Sequence, residues 1–167
     1  MFVAVIANAA ETGAAAIGYV DIRKALETVD AGKSAKSQLE KEVQAKQSEL
    51  EKAKASFQKE YEGFEKRAAI LNESAKAAKQ AELQKKYMDL QKSMADSQQE
   101  LQKRDRDLTE PIVTELKGII EGLAKEKSYA MVLEKNESGV LYADAGNDLT
   151  AAAIERFNQK NKGKKKK

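Results

Sequence analysis

The side chains in this chain that could do chemistry are nearly all carboxylates, lysines and arginines. The 167 residues include 30 Lys and Arg and 27 Asp and Glu, but no Cys, His or Trp. Zinc and haem sites need thiolate or imidazole ligands, and catalytic triads built on His or Cys need those side chains. The acidic residues alternate with lysines at helical spacings, which is typical of a solvated helix face. We therefore predict no enzyme activity, no metal site and no bound cofactor.

Two short motifs suggest ligand sites, but their spacing is wrong. Gly32-Lys33-Ser34 matches the end of a phosphate-binding loop, yet the first glycine of that motif would fall at Glu27. Asp144, Asn147 and Asp148 carry oxygen ligands, but the loop lacks the ligand alternation and the closing Glu of a calcium-binding loop. We expect these three residues to form a turn and a helix cap.

The elements that carry the charged residues are predicted by a seven-residue apolar repeat. The repeat forms two successive tracks, one of Val43, Leu50, Phe57, Phe64 and Leu71, the other of Tyr87, Met94, Leu101 and Leu108. A heptad stripe lies along one side of a helix and needs a partner helix to cover it. Two tracks in one chain predict a long antiparallel helical hairpin, an arm over residues 33–127 with its tip near residues 72–80. Its seam is uneven, because Lys46 and Glu60 interrupt a second apolar track in the first helix.

The return helix of the arm contains two features that bear on its course. Pro111, the only proline, removes a backbone donor and is predicted to kink or restart the helix, with Thr109 as a new N-cap. Gly118 and Gly122 have GxxxG spacing, which we interpret as room for close packing.

Short apolar segments on both sides of the arm predict a small β-rich body, formed by residues 16–32 and 128–159. Residues 16–22 (AIGYVDI), 129–133 (YAMVL) and 140–142 (VLY) are strand-like. Residues 136–139 suit a hairpin turn between the last two of these, and Asp148 is predicted to cap an amphipathic helix. Since the arm has only thin seams to bury, we expect copies of the chain to associate. The expected contact residues in the body are Ile17, Tyr19, Val20, Ile22, Met131, Leu133 and Leu141.

The two ends of the chain differ in composition from the rest. Residues 1–15 are apolar and small, and we expect them to be the remnant of a signal peptide. Residues 160–167 contain six lysines, which leaves 24 basic against 27 acidic residues in residues 1–159. The positive charge is therefore a tail, which we expect to be disordered. Such a tail favours anionic surfaces such as a membrane or lipopolysaccharide.

The order of these segments resembles the Skp (OmpH-like) family of periplasmic chaperones. The resemblance covers about residues 16–159 and rests on IGYVD at residues 17–21, Gly32-Lys33 opening a long helix, YAMVLEK, VLYAD, and DLTAAAIERFN. It implies a mainly α fold, a long helical hairpin on a short-stranded trimerisation body. It also implies a homotrimer whose arms surround a cavity. In that cavity, unfolded outer-membrane proteins are held without ATP, kept from aggregating and delivered for membrane insertion.

Client contacts are expected at apolar residues outside the seam, namely Tyr61, Ile70 and Met88. Three other interpretations are weaker. A structural coiled-coil or scaffold protein would explain the heptads but not the flanking strands. Prefoldin has helical arms and a β base in the opposite chain order. A nucleic-acid binder should have a basic body with interleaved aromatic residues, and this chain has neither.

Overall fold

The computed structural model describes residues 16–162, which form four helices and two short strands. The elements in chain order are β1 (Ile17–Val20), α1 (Ile22–Thr28), α2 (Asp30–Arg67), α3 (Glu73–Glu126), β2 (Met131–Glu134), a 3-10 turn (Ala145–Asn147) and α4 (Thr150–Asn161). They divide into two compact units: a body unit, residues 16–29 and 114–162, and an arm unit, residues 30–113. The expected signal-peptide remnant at residues 1–15 lies outside the described residues, as do residues 163–167 of the lysine-rich tail.

The arm unit is an antiparallel hairpin of α2 against the first part of α3. Ion pairs join Glu42 to Arg104 and Glu60 to Lys86. As the residue number rises by 18 in α2, the number of its partner in α3 falls by 18. Partner numbers that change by equal amounts in opposite senses show that the two helices run in opposite directions. The predicted helical hairpin is confirmed.

The hairpin reverses direction over residues 68–72. The backbone N–H of Ile70 donates to the carbonyl of Arg67, which closes a turn after α2. The side chain of Asn72 then accepts a hydrogen bond of 2.8 Å from the N–H of Ala75 and so caps the start of α3. The turn therefore lies just before most of the predicted tip, residues 72–80. Residues 73–80 already belong to α3. The Asn cap, rather than a glycine or proline, marks the reversal.

Helix α3 runs without interruption through Pro111, contrary to the expected restart. Thr109 is not an N-cap: its hydroxyl donates to the carbonyl of Asp105, 2.8 Å away, within the same helix. Proline takes away one backbone donor, but the chain stays helical on both sides of it.

The body unit is built around a two-stranded parallel sheet. Residues of β1 and β2 pair in register from Ile17 with Met131 to Val20 with Glu134. The backbone N–H of Leu149 adds a bond of 2.9 Å to the carbonyl of Tyr19. A parallel pair cannot be closed by a tight turn and needs a long crossover, and here the crossover includes the whole arm unit. Both flanks of the arm therefore contribute to one sheet, as predicted.

Three details of the body differ from the sequence-based expectation. Residues 140–142 are not a strand, and β2 pairs with β1 rather than with them. Ile22 is the first residue of α1, not a strand residue. The N-cap position of α4 is Leu149, one residue after Asp148, although the Asp148 carboxylate accepts a bond of 2.8 Å from the N–H of Thr150.

The core of the body unit combines α3, α4 and the sheet. Its completely buried large side chains include Leu116, Leu149 and Phe157. Close packing extends to Gly18 in β1, where an added Cβ would lie 2.9 Å from the ring of Tyr129. Gly118 and Gly122 differ from Gly18, because within the described residues nothing lies within 4 Å of a Cβ built at either position. The close packing expected at these two glycines is therefore absent from this chain's own described residues.

The contrast between the glycines gives a stability prediction. Gly18→Ala should destabilise the protein by about 1–3 kcal/mol, because the new methyl group overlaps the Tyr129 ring. Gly118→Ala is the matched control and should stabilise it by up to about 1 kcal/mol, because alanine is the better helix former and meets no neighbour. Urea unfolding followed by circular dichroism measures both. Equal shifts for the two variants would contradict the packing described at Gly18.

Candidate functional site

The residues of the short motifs that suggest ligand sites belong to a helix or make hydrogen bonds within the fold. Gly32 is buried within helix α2, so no phosphate-binding loop forms there. The Asp144 carboxylate accepts a bond from the N–H of Gly146, and the Asn147 side chain accepts one from the Tyr129 hydroxyl. Across residues 16–162, no group of three or more acidic side chains is placed to hold a metal ion. Binding must therefore be sought on the molecular surface.

One group of exposed apolar side chains lies in the body unit. Ile17 and Met131 are paired across the sheet, and about half of each remains exposed. Leu141 is 100% exposed and Tyr142 is 87% exposed, in the segment that follows β2 without joining the sheet. Tyr19 and Val20, by contrast, are buried within this chain, and Leu133 is half-buried. Ile17, Met131, Leu141 and Tyr142 will be called the body patch.

Beside the sheet, the body unit also contains an open apolar cleft of about 440 Å³. Three of the residues expected at an oligomer contact, Val20, Ile22 and Met131, line it. Ile120 of α3 and Val132 of β2 complete its apolar wall. The structure thus brings six of the seven expected contact residues into or beside the sheet, while Leu141 lies in the following segment.

The second group of exposed apolar side chains lies on the arm unit. Ile70 is 82% exposed, Met88 62% and Tyr61 45%, and these are the three expected client contacts. The seam residues of the arm are not equally covered. Tyr87 and Met94 are about half exposed, and Leu83, which belongs to neither predicted track, is the most buried apolar side chain of this part of α3. The other predicted seam residues are half-buried: Val43, Leu50, Phe57, Phe64, Leu71, Leu101 and Leu108.

Ion pairs accompany this partial seam along the arm. Lys46 pairs with Glu100 at 2.9 Å, and both oxygens of Glu42 accept from the guanidinium of Arg104 at 3.1 Å. Sequence patterns missed these pairs, because Lys46 and Glu60 look like defects in a hydrophobic track. The sequence feature that could have predicted the pairs is the opposite charge at the facing position of α3, Glu100 for Lys46 and Lys86 for Glu60. Each exposed pair contributes only about 0–1 kcal/mol, so together they set the register of the hairpin more than its stability.

Glu60 is the centre of the densest charged cluster. Its carboxylate lies within ion-pair distance of Lys86 and, at 3.5 Å, of Lys79, and Glu82 approaches the same two lysines from α3. The hydrogen bond from Lys86 lowers the pKa of Glu60 below its ordinary value of 4.5, with Lys79 adding to the effect. Hydrogen bonds from Lys79 and Lys86 lower the pKa of Glu82 in the same way. The carboxylates of Glu60 and Glu82 are therefore ionised at neutral pH.

The fold defines a class of proteins in which a helical hairpin is inserted between two strands that pair in parallel. Residues 16–157 match the family described as outer membrane protein (OmpH-like). Because the match covers most of the chain, this protein belongs to the OmpH-like family, and the resemblance seen in the sequence is confirmed.

A solved structure and a search of curated proteins complete the comparison. The crystal structure of a candidate outer membrane chaperone (OmpH-like) from Caulobacter crescentus CB15 has a similar fold, with a TM-score of 0.76 at 17% sequence identity. The similarity covers 86% of this chain and 84% of that chain. A search of curated proteins found no match. Across the described residues, no helix has both the length and the apolar character needed to cross a membrane.

The Glu60 cluster predicts acid sensitivity of the arm. A carboxylate whose pKa is lowered by folding stabilises the fold above its unfolded pKa and loses that contribution as the pH falls through the folded value. The melting temperature should therefore fall more steeply below about pH 4.5 for the natural chain than for Glu60→Gln, which lacks the titrating group. Melting curves by circular dichroism between neutral and acidic pH test this difference.

Glu65→Gln is the matched control, because Glu65 is exposed on the same helix and makes no ion pair in the described residues. It should keep the steep acid dependence of the natural chain. An equal flattening by both substitutions would mean that the Glu60 cluster is not the source of the dependence.

Proposed function

We propose that this chain is an ATP-independent holdase chaperone for unfolded outer-membrane proteins. It binds them between the arms of associated copies, prevents their aggregation and releases them for membrane insertion. Membership of the OmpH-like family supports the class of client. The proposed location is the periplasm, because a client in transit to the outer membrane is unfolded there.

The observation that carries the proposal is the exposure of apolar side chains on a highly charged arm. Ile70 and Met88 bury only a minor part of their surface in the hairpin, since most of each residue is in contact with water. An unfolded membrane protein exposes apolar side chains of its own, and contact between the two removes both from water. Lysines and glutamates around them keep the empty arm soluble. The arm therefore has the surface expected of a weak, general binder of apolar segments.

Weak contacts hold a client only if several act together. Linking binding sites raises the effective concentration of the second site and so strengthens retention without any single strong contact. This requirement fits the proposed homotrimer, in which three arms act on one client. Release needs no nucleotide, because each contact breaks readily and folding into the membrane competes with rebinding.

The body patch supports association of copies. Leu141 and Tyr142 are large, almost completely exposed and close in sequence to the sheet, where Ile17 and Met131 add further apolar surface. Large apolar side chains exposed in such number on one small unit favour an interaction site. We propose that the body patch and the cleft beside it are the contact between copies.

The proposed contact predicts the oligomeric state. Light scattering should give a mass about three times the 18.4 kDa of one chain. Leu141→Asp combined with Tyr142→Asp should lower the mass towards that of a single chain, because burying two carboxylates in an apolar contact is unfavourable. Ser138→Asp, an equally exposed change in the preceding turn, is the control and should leave the mass unchanged. A single-chain mass for the natural protein would sink the proposed trimer.

The holdase activity is tested with an outer-membrane β-barrel protein diluted from urea. The natural chain should suppress the rise in turbidity without added ATP. Changing Tyr61, Ile70 and Met88 together to serine should weaken the suppression about tenfold or more in the chaperone concentration required, since about 2 kcal/mol of apolar contact is lost. The control changes three exposed polar residues of the same arm, Gln47, Gln98 and Gln102, to serine. No suppression by the natural chain would favour the alternative, a scaffold without clients.

A further inference from the structure

Two clefts adjoin each other on the arm unit. The first is an aromatic cleft of about 470 Å³, lined by Phe57, Tyr61, Phe64, Leu83 and Tyr87 together with two glutamines. The second has a volume of about 370 Å³ and is lined by Glu60, Phe64, Arg67, Leu71, Ala75 and Lys79. It will be called the cationic cleft, because Glu60 is paired with Lys79 and Lys86 and the guanidinium of Arg67 adds a further positive charge. Phe64 lines both, so the two clefts share a wall. A ligand long enough to span the Phe64 ring can reach both at once.

The aromatic cleft is shaped to receive a ring. The Phe57 ring lies 5.9 Å from the Tyr87 ring and 6.2 Å from the Tyr61 ring, both in tilted arrangements. Leu83, which is 4% exposed, closes the floor, while Tyr61 and Tyr87 remain about half exposed. Aromatic rings pack in tilted pairs at these distances, and a further ring would cover the exposed faces of both tyrosines.

The cationic cleft contains an arginine with donors to spare. Nε of Arg67 donates to the carbonyl of Gly63 at 3.0 Å, and within the described residues no carboxylate lies within ion-pair distance of its guanidinium. Lys79 differs, because it is paired with Glu60 and Glu82. A guanidinium has five N–H donors in a planar fork that matches a carboxylate. Arg67, rather than Lys79, is therefore the residue of this cleft that can accept a carboxylate from a ligand.

Gly63 holds the Arg67 side chain in this position. A Cβ at Gly63 would lie 3.3 Å from Nη2 of Arg67, so a larger residue would press on the guanidinium. Arg67 is also the last residue of α2, where the helix dipole favours a positive charge. The side chain is thus laid back along the helix, where it lines the same cleft as Phe64.

We infer that the two clefts form one binding site for an extended client segment with an aromatic side chain two residues from a carboxylate. This inference rests on the proposed holdase function and names the segment that the arm selects. In an extended chain, residues i and i+2 point to the same side and lie about 7 Å apart. Such a segment places its ring against Tyr61 and Tyr87 and its carboxylate on Arg67, on either side of Phe64.

Membrane β-strands supply segments of this composition. Their outward faces are apolar in the middle and end in aromatic residues at the membrane boundary, beyond which charged side chains are tolerated. An aromatic residue followed two positions later by Asp or Glu therefore suits the end of such a strand. While the membrane protein is unfolded, both the aromatic side chain and the carboxylate of that segment are free to bind the arm.

Four labelled peptides of one flexible, uncharged background test the inference. They contain Phe-Ser-Glu, Ala-Ser-Glu, Phe-Ser-Gln or Ala-Ser-Gln, and binding to the full chain is measured by fluorescence anisotropy. The Phe-Ser-Glu peptide should bind tightest. Replacing Phe by Ala should weaken binding about two- to tenfold, and replacing Glu by Gln should weaken it about two- to fivefold.

Substitutions in the chain assign each preference to its cleft. Arg67→Gln should abolish the preference for Glu over Gln and keep the preference for Phe, whereas Tyr61→Ala should do the reverse. Lys66→Gln is the matched control, because Lys66 is an exposed neighbour of Arg67 that lines neither cleft. The control should keep both preferences, and circular dichroism should show equal helix content in all variants.

The outcomes separate this site from the holdase function. Equal binding or no binding of the four peptides, or a Glu preference that survives Arg67→Gln, overturns the site even if the natural chain suppresses aggregation. Selective peptide binding without suppression of aggregation overturns the holdase function and leaves the site in place.

Discussion

The pairing of two four-residue strands from opposite ends of the chain is the constraint on which the fold depends. β1 ends at Val20 and β2 begins at Met131, and in a parallel pair the chain must come back to the end from which it started. Two long helices of similar direction could not achieve that return, so the chain has to reverse between them. The turn that ends with the Asn72 cap supplies the reversal. Glu134, the last residue of β2, fixes the end of the sheet. The carboxylate of Glu134 accepts bonds from the backbone N–H groups of Ile22, Asn136 and Glu137.

Much of this architecture could be predicted, because helices and strands bury apolar side chains at regular spacings in the sequence. Two heptad tracks define two helices, and apolar segments on both flanks define the sheet residues. The details that could not be predicted depend on individual hydrogen bonds between residues far apart in sequence. Residues 140–142 have strand propensity, but Leu149 supplies the neighbouring bond to β1. Likewise, the hydroxyl of Thr150 accepts from the N–H of Asp21, a contact between residues 129 positions apart that no local pattern signals.

The candidate site was less predictable than the fold. Exposure of Tyr61, Ile70 and Met88 followed from their positions outside the heptad tracks. The positions of the two clefts could not be predicted in this way, because they depend on which α2 residue faces which α3 residue. Lys46 and Glu60 define that match, since each faces an opposite charge on α3. A slip of fourteen residues in one direction would bring Lys46 opposite Lys86, and in the other would bring Glu60 opposite Glu100. Residues that weaken the hydrophobic seam therefore make one alignment of the hairpin preferable to its alternatives.

The order of β1 and β2 in the chain also sets the timing of folding. At about 5–20 residues per second, a ribosome needs on the order of ten seconds to make the chain between them. During that interval β1 has no partner, whereas the hairpin can form from its own neighbouring residues. Contacts between residues so far apart in sequence are also slow to form once the chain is complete. The nascent polypeptide consequently stays unfolded at its β-strands until synthesis is nearly finished, so the sheet is the last part of the protein to form.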